Sequence, residues 1–298
     1  MLFKTWALES KNTVMANPIL SLASFSARVL PMPLKRALYR LPFAGGLRKL
    51  LNRAAPQSLS QVEVAAGELK GVKLLLDMHS QKDYWLGTYE PELQAAIKDF
   101  VKPGDVAYDV GANIGYVSLM LARHVGPEGR VISFEALPDN LVRIESNLSL
   151  NPRLGNVRLV PKAVVDTPRS VEFLVHASGG MGKAAGSAGR EEQYQETLSI
   201  SGTSLDDFVY VQDNPPPDVI KLDIEGGEVL AMPGMQRLLA EAKPVLFIEL
   251  HGPEAARVVW DTLTEHGYSL HIMQRGYPAI TAFEDLDWKA YLVARPSA

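Results

Sequence analysis

The chain has 298 residues, 47% of them hydrophobic, and a net charge of −4, enough for one large core or for a core with a small appendage. It has no cysteine, which excludes disulfides, thiolate metal sites and cysteine nucleophiles and leaves carboxylate, histidine or carbonyl groups for any metal. No run of about eighteen apolar residues occurs, which argues against a spanning helix.

Charge is unevenly spread. Residues 1–57 hold nine bases (Lys4, Lys11, Arg28, Lys35, Arg36, Arg40, Arg48, Lys49, Arg53) against Glu9, a net +8 that leaves −12 for the rest. Leu34, Ala37, Leu38 and Leu41 form one apolar stripe and Leu47, Leu50, Leu51 and Ala54 another, a pattern of basic amphipathic helices. Such helices either cap a neighbouring domain or lie on anionic lipid, and the segment is also serine-containing and acid-poor in the manner of a transit peptide. The expected organisation is a helical basic arm over residues 1–59 and an α/β domain over 60–298, with a cytoplasmic location and peripheral membrane contact as the alternative the arm leaves open.

From residue 60 strand and helix patterns alternate, the mark of a parallel sheet covered by helices. Tyr84, Trp85 and Tyr89 come early, read either as packing or as a face on which a sugar could stack. The segment 106–118, VAYDVGANIGYVS, is a buried strand, a tight turn with two glycines, and a helix. Glycine suits a turn where a ligand approaches the main chain. Twenty residues after Gly115 stands Glu135, at the end of a second predicted strand over 130–134, where an acid can accept hydrogen bonds from both hydroxyls of a ribose. The spacing is not the GxGxxG of dinucleotide enzymes, since Asn113 replaces the second glycine, and it is closer to the S-adenosylmethionine loop of class I methyltransferases.

Further on, a helix is predicted over 138–150 with its cap near Asp139-Asn140, then strands at 157–160 and 170–175. The stretch 176–190, HASGGMGKAAGSAGR, lacks periodicity and reads as a mobile loop that either covers an acceptor site or is a surface insertion. Strands follow at 219–224 and 245–250, helices at 228–240 and 253–266, and a final antiparallel pair at 268–273 and 290–294, expected at the sheet edge. Asp223, Glu225, Glu249 and His251 fall at the ends of two apolar strands. Burying such groups without a purpose is expensive, and in an open parallel sheet these ends border one crevice.

The segments DVGANIG, SFEALPDN, TSLDD, IKLDIEGGE and FIELH, in that order, with Tyr89-Glu90-Pro91 upstream, resemble the FkbM-like methyltransferases across residues 80–275. The resemblance implies a class I, Rossmann-like, seven-stranded and mostly parallel sheet with helices on both faces, S-adenosylmethionine as donor and an oxygen acceptor. By position, Asp109, Gly111, Asn113 and Gly115 would hold the donor's amino acid end and Glu135 its ribose. Glu90 would reach the same pocket, and Asp166 would sit near adenine.

Methyl transfer to a hydroxyl needs alignment and a base. His251 suits the base by its ordinary pKa and Asp223 by its position, with Glu249 holding the imidazole by its other nitrogen. The same acids have the makings of a magnesium site, although a metal-free site is the reading adopted. The expected activity is therefore O-methylation of a sugar, glycolipid or secondary metabolite. The alternatives are a nucleotide-dependent oxidoreductase and a non-catalytic S-adenosylmethionine-binding or membrane scaffold. An acidic body without a basic aromatic stripe argues against nucleic acid as a partner.

Overall fold

A computed structural model of the protein describes residues 58–176, 181–188 and 194–297, together with Ser21, Leu22, Phe25, Ser26, Val29, Leu30 and Gly46. The amphipathic stripes predicted at 34–41 and 47–54 lie outside these residues. The chain divides into two units, residues 1–91 and 92–298, whereas the expected division lay at 59/60.

In the first unit β1 (Ser60–Glu63) pairs antiparallel with β2 (Lys73–Leu76), followed by the short helix α1 (Lys82–Leu86). Gly87 ends α1 at φ 68°, and a Cβ there would lie 1.9 Å from the Ala66 carbonyl oxygen, so only glycine fits the turn. Trp85 is 1% exposed and is core, not a sugar platform. The Tyr84 and Tyr89 rings lie 4.2 Å apart and pack on each other.

The division falls after the first residue of α2 (Pro91–Phe100), and the second unit continues with β3 (Val106–Val110), α3 (Tyr116–Val125), β4 (Arg130–Phe134), α4 (Pro138–Ser149) and β5 (Val157–Val160). After an excursion described below come α5 (Leu205–Tyr210), β10 (Val219–Leu222), α6 (Glu228–Ala231), α7 (Gln236–Glu241), β11 (Val245–Glu249), α8 (Pro253–Glu265), β12 (Tyr268–Ile272), β13 (Ala279–Ile280) and β14 (Tyr291–Pro296). The main sheet runs β13-β12-β14-β11-β10-β3-β4-β5. β5, β4, β3, β10 and β11 are mutually parallel, and β14 is antiparallel to both of its neighbours. This is the Rossmann-like sheet expected, with the two-residue β13 as an eighth strand.

The last pair does lie antiparallel, but β14 is interior, between β11 and β12, not at the edge. Leu292, Val293 and Ala294 are all fully buried, so the strand is apolar on both faces and needs cover on both. Between β3 and β4, Tyr108, Phe134 and the α5 residue Phe208 form an aromatic cluster with centroids 5.0–5.9 Å apart, and the Tyr108 hydroxyl donates to the Pro215 carbonyl at 2.6 Å. Each fully buried side chain of this size stabilises by roughly 1.5–3 kcal/mol.

The excursion is a second sheet in the order β6-β9-β7-β8, made of β6 (Ala163–Val164), β7 (Ser170–His176), β8 (Gly182–Ala184) and β9 (Tyr194–Thr203). Val171, Phe173 and Val175 alternate along β7 and bury one face against Ala136, Leu137 and Val165. Part of the glycine-rich stretch read as a loop is thus strand: Gly182–Ala184 pairs with Phe173–Val175, while 177–180 and 189–193 lie outside the described residues. The ten-residue β9 was not foreseen, because over 194–201 only Leu198 and Ile200 supply aliphatic packing and the alternation that betrays a strand is weak.

Candidate active site

β3 and β10 lie side by side and parallel, with Asp109 opposite Lys221 and Val110 opposite Leu222. The two turns that follow are therefore adjacent, as the crevice argument required. Gly111, Asn113 and Gly115 all have positive φ (83°, 52° and 82°). A Cβ on Gly111 would lie 1.9 Å from the Asp223 carbonyl oxygen, so this glycine answers first to the approach of the neighbouring turn. A Cβ on Gly115 would lie 3.2 Å from Ile144 Cγ2 of α4, and Asn147 Nδ2 donates to the Ile114 carbonyl at 2.8 Å, so α4 clamps the loop.

Glu135, 7% exposed, organises the same loop. Its Oε2 accepts from Asn113 N at 2.7 Å, and its Oε1 from Ala136 N and Leu137 N at 3.0 and 2.8 Å. Burial pushes its pKa above the usual carboxylate range, while hydrogen bonds from the Leu137 and Asn113 amides, the Asn140 side chain and the Ala136 amide pull the other way. A carboxylate offers about four lone-pair positions, all taken by these four donors, so a grip on both ribose hydroxyls requires two of them to yield. Asn140, expected near a helix cap, is buried and serves Glu135 instead; the N-cap residue of α4 is Leu137, with Pro138 in the first turn.

Asp109 is fully buried. Its Oδ2 accepts from Ser118 Oγ at 2.6 Å, and Ser118 in turn accepts from Ser133 at 2.9 Å. Among the described residues Asp109 Oδ1 accepts no hydrogen bond and lies 3.5 Å from Lys221 Nζ. Asp109 thus supports the loop from behind. Asp166 is exposed and paired with Arg169. Glu90 lies in the first unit, at φ 39°.

On the other side of the crevice the ends of β10 and β11 bring four acids around one imidazole. His251 Nε2 lies 3.8 Å from Asp223 Oδ1, 3.7 Å from Glu225 Oε2 and 3.6 Å from Glu249 Oε1. Its Nδ1 is 3.2 Å from Oε1 of Glu228, a fully buried carboxylate at the start of α6. Glu228, not Glu249, therefore holds the other imidazole nitrogen, and Glu249 accepts from the Tyr291 hydroxyl at 2.7 Å. Glu228 was overlooked although it ends the motif IKLDIEGGE; a carboxylate one residue after two glycines that open a helix was the available signal.

His251 is not neutral at pH 7, contrary to expectation. Burial opposes its charged form, but the hydrogen bond and charge of Glu228, with the charges of Asp223 and Glu249, outweigh it and raise its pKa to about 9. Asp223, Glu249 and His251 also place one potential ligand atom each within 4.8 Å of one another, a span that a hard cation could bridge.

Beside this cluster opens a cavity of about 510 Å³, walled by Glu225, Glu249, His251, Lys183, Tyr194 and Trp288, among others. No residue of the 111–115 turn lines it. Trp288 is 37% exposed, with Lys289 Nζ over its ring at 4.4 Å. The wall formed by the second sheet is tied to the floor where Ala188 N donates to the Gly226 carbonyl at 2.9 Å.

Residues 109–270 match the family model of the methyltransferase FkbM domain. The hexuronic acid methyltransferase AglP of Haloferax volcanii is 26% identical over 170 residues, 56% of this chain and 65% of that protein. A protein-L-isoaspartate O-methyltransferase of Triticum aestivum is 40% identical over 52 residues, 17% of this chain and 23% of its own length. Of solved structures, the methyltransferase FkbM from Methylobacillus flagellatus aligns with a TM-score of 0.44 at 17% identity, over 73% of this chain and 53% of that one. The matches span less than two thirds of the length of either curated relative. Among the described residues no helix is long and apolar enough to cross a membrane.

Proposed function

Because the chain belongs to the FkbM methyltransferase family, we propose that it is an S-adenosylmethionine-dependent methyltransferase acting on a hydroxyl of a sugar, glycolipid or secondary metabolite held in the cavity beside His251. The observation that carries this reading is a basic imidazole at the floor of a 510 Å³ cavity, next to the turn that faces the donor loop. S-adenosylmethionine, when bound, supplies a methyl carbon activated by the sulfonium.

The loop suits such a donor. Gly111, Asn113 and Gly115 shape a turn braced by Glu135, a carboxylate placed to take ribose hydroxyls and to repel a 2′-phosphate, and the turn lacks the GxGxxG spacing that a pyrophosphate uses. We assign Gly111, Asn113 and Gly115 to the donor's amino acid end, Glu135 to its ribose, and Asp109 to supporting the loop. Asp166 remains a proposed donor contact, on condition that it leaves Arg169.

An aliphatic hydroxyl is too weak an acid to ionise first, so its proton leaves as the bond to carbon forms. His251 Nε2 receives that proton, and Glu228 at Nδ1 fixes the ring and stabilises the imidazolium that results. A pKa of about 9 makes the imidazole a stronger base while leaving about 1% of it neutral at pH 7. Asp223 and Glu249 accept hydrogen bonds from the acceptor's hydroxyls. In its resting, charged form the imidazolium is the counter-ion of these carboxylates. Trp288 offers its exposed ring to the apolar face of a sugar, a role that was one of two alternatives, beside packing, for Tyr84, Trp85 and Tyr89.

The test is transfer of label from tritiated S-adenosylmethionine into fractionated glycans and small metabolites, comparing the chain with its His251→Gln variant. Label in a hydroxylated product, lost in the variant, supports the reading. Label on nitrogen or carbon, or equal label with both proteins, overturns it.

A further inference from the structure

The donor loop and the acceptor floor are separate stretches of chain, yet one buried side chain touches both. Lys221 is 5% exposed. Its Nζ donates to the Gly111 carbonyl at 2.8 Å, lies 3.2 Å from Asp223 Oδ2 and 3.5 Å from Asp109 Oδ1. Paired residues on neighbouring strands project to the same face, and Lys221 pairs with Asp109 across the β10–β3 ladder, which is how its ammonium reaches the turn.

We propose that Lys221 is a positioning residue for methyl transfer, coupling the donor loop to the acceptor-side carboxylate of Asp223. The proposal rests on the reading that the donor occupies the 111–115 turn. Three observations carry it. First, the other residues of β10, Val219, Ile220 and Leu222, are buried and apolar, so a Met or Leu would satisfy the strand. A buried ammonium there is the more expensive choice. Second, its partners belong to different parts of the site, a donor-loop carbonyl, the acid behind that loop and the acid facing the imidazole. Third, it divides the two oxygens of Asp223, taking Oδ2 and leaving Oδ1 toward His251 Nε2 at 3.8 Å.

The charge has a further consequence for binding. Asp223, Glu225, Glu228 and Glu249 surround His251, and Lys221 offsets part of that negative field. S-adenosylmethionine carries a sulfonium, whereas the product S-adenosylhomocysteine is a neutral thioether. Without Lys221 the loop loses its anchor, which weakens both ligands, but the site becomes more negative, which favours the cation. Affinity for the product therefore falls more than affinity for the donor. A purely structural lysine would not shift that ratio.

The test is calorimetric titration of the full chain with S-adenosylmethionine and S-adenosylhomocysteine, alongside thermal melts, for the unsubstituted protein, Lys221→Met, Lys221→Arg and the double variant Asp109→Asn with Lys221→Met. Loss of a hydrogen bond to a charged group predicts product binding about 10- to 100-fold weaker in Lys221→Met, with a smaller loss for the donor. Lys221→Arg keeps the charge and the wild-type ratio, while its planar fork weakens both ligands. The double variant removes the buried charge left behind, so it recovers melting temperature without recovering affinity, and it carries the test if Lys221→Met fails to fold. If the double variant regains both stability and affinity, or if the ratio of the two ligands stays constant throughout, the proposal is wrong. Failure of the unsubstituted chain to bind S-adenosylmethionine at all overturns the donor reading, and this proposal with it.

Discussion

The two sides of the crevice are built on opposite plans. The donor side is closed: Asp109 and Ser118 are fully buried, and Glu135 nearly so, with their polar atoms turned onto the loop's own backbone and neighbours. The acceptor side is open: Asp223, Glu249 and His251 are partly exposed, and they confront one another across distances too long for ordinary hydrogen bonds. A rigid pocket suits a donor that never changes. A floor of acids facing a cavity leaves recognition to whatever enters, so substitutions on the two sides are expected to fail in different ways.

The largest effect belongs to Glu135→Ala. It leaves three backbone amides without their acceptor, each a loss of about 1–3 kcal/mol if buried, so both melting temperature and donor affinity fall, the latter by 100-fold or more on about two such losses. Calorimetry and a thermal melt check both, and donor affinity within about threefold of the parent would break the contrast between the two sides.

Next comes His251→Gln, which is expected to lower kcat by about 10²- to 10⁴-fold in a protein that still folds and still binds S-adenosylmethionine. In the parent, kcat/KM should rise with pH toward an inflection near 9, the pKa of the free enzyme's base. A flat alkaline limb would transfer the role of base from His251 to Asp223.

Stability carries the same signature with the opposite sign. The folded pKa of His251 is raised from 6.5 to about 9, so its stabilising contribution is complete below the unfolded value and is lost as pH rises through the folded one. Over that window the parent should lose up to about 3 kcal/mol, and His251→Gln should lose almost none of it. Denaturant titrations at pH 6 and pH 10 measure the difference.

The smallest effect is at the cavity wall. Trp288→Ala should raise KM for a sugar acceptor several-fold, as expected for about 0.5–1.5 kcal/mol of ring contact, with kcat and donor affinity unchanged. An unaltered KM would remove Trp288 from the acceptor site.

The same contrast explains what could be read from the sequence. The donor side announces itself because backbone geometry restricts residue type: Gly111 cannot carry a Cβ beneath the Asp223 carbonyl, and Glu135 stands at a fixed interval from the turn. The acceptor side is assembled across the fold. Asp223, Glu249 and His251 were visible as charges at the ends of apolar strands, but Glu228 reaches Nδ1 from the next helix, and Trp288 and Tyr194 come from loops and a second sheet whose alternation is weak. The protonation of His251 was likewise hidden, because it depends on how many carboxylates share the imidazole and not on any one neighbour in the chain. Lys221 lay in plain sight in IKLDIEGGE, but only the register of β10 on β3 shows that it touches both sides.

A crystal structure with S-adenosylhomocysteine bound is the decisive experiment. Its ribose is expected at Glu135, its amino acid end along residues 111–115, and its sulfur directed toward His251. A ligand bound elsewhere, or with its sulfur turned away from the cavity beside His251, would contradict this placement.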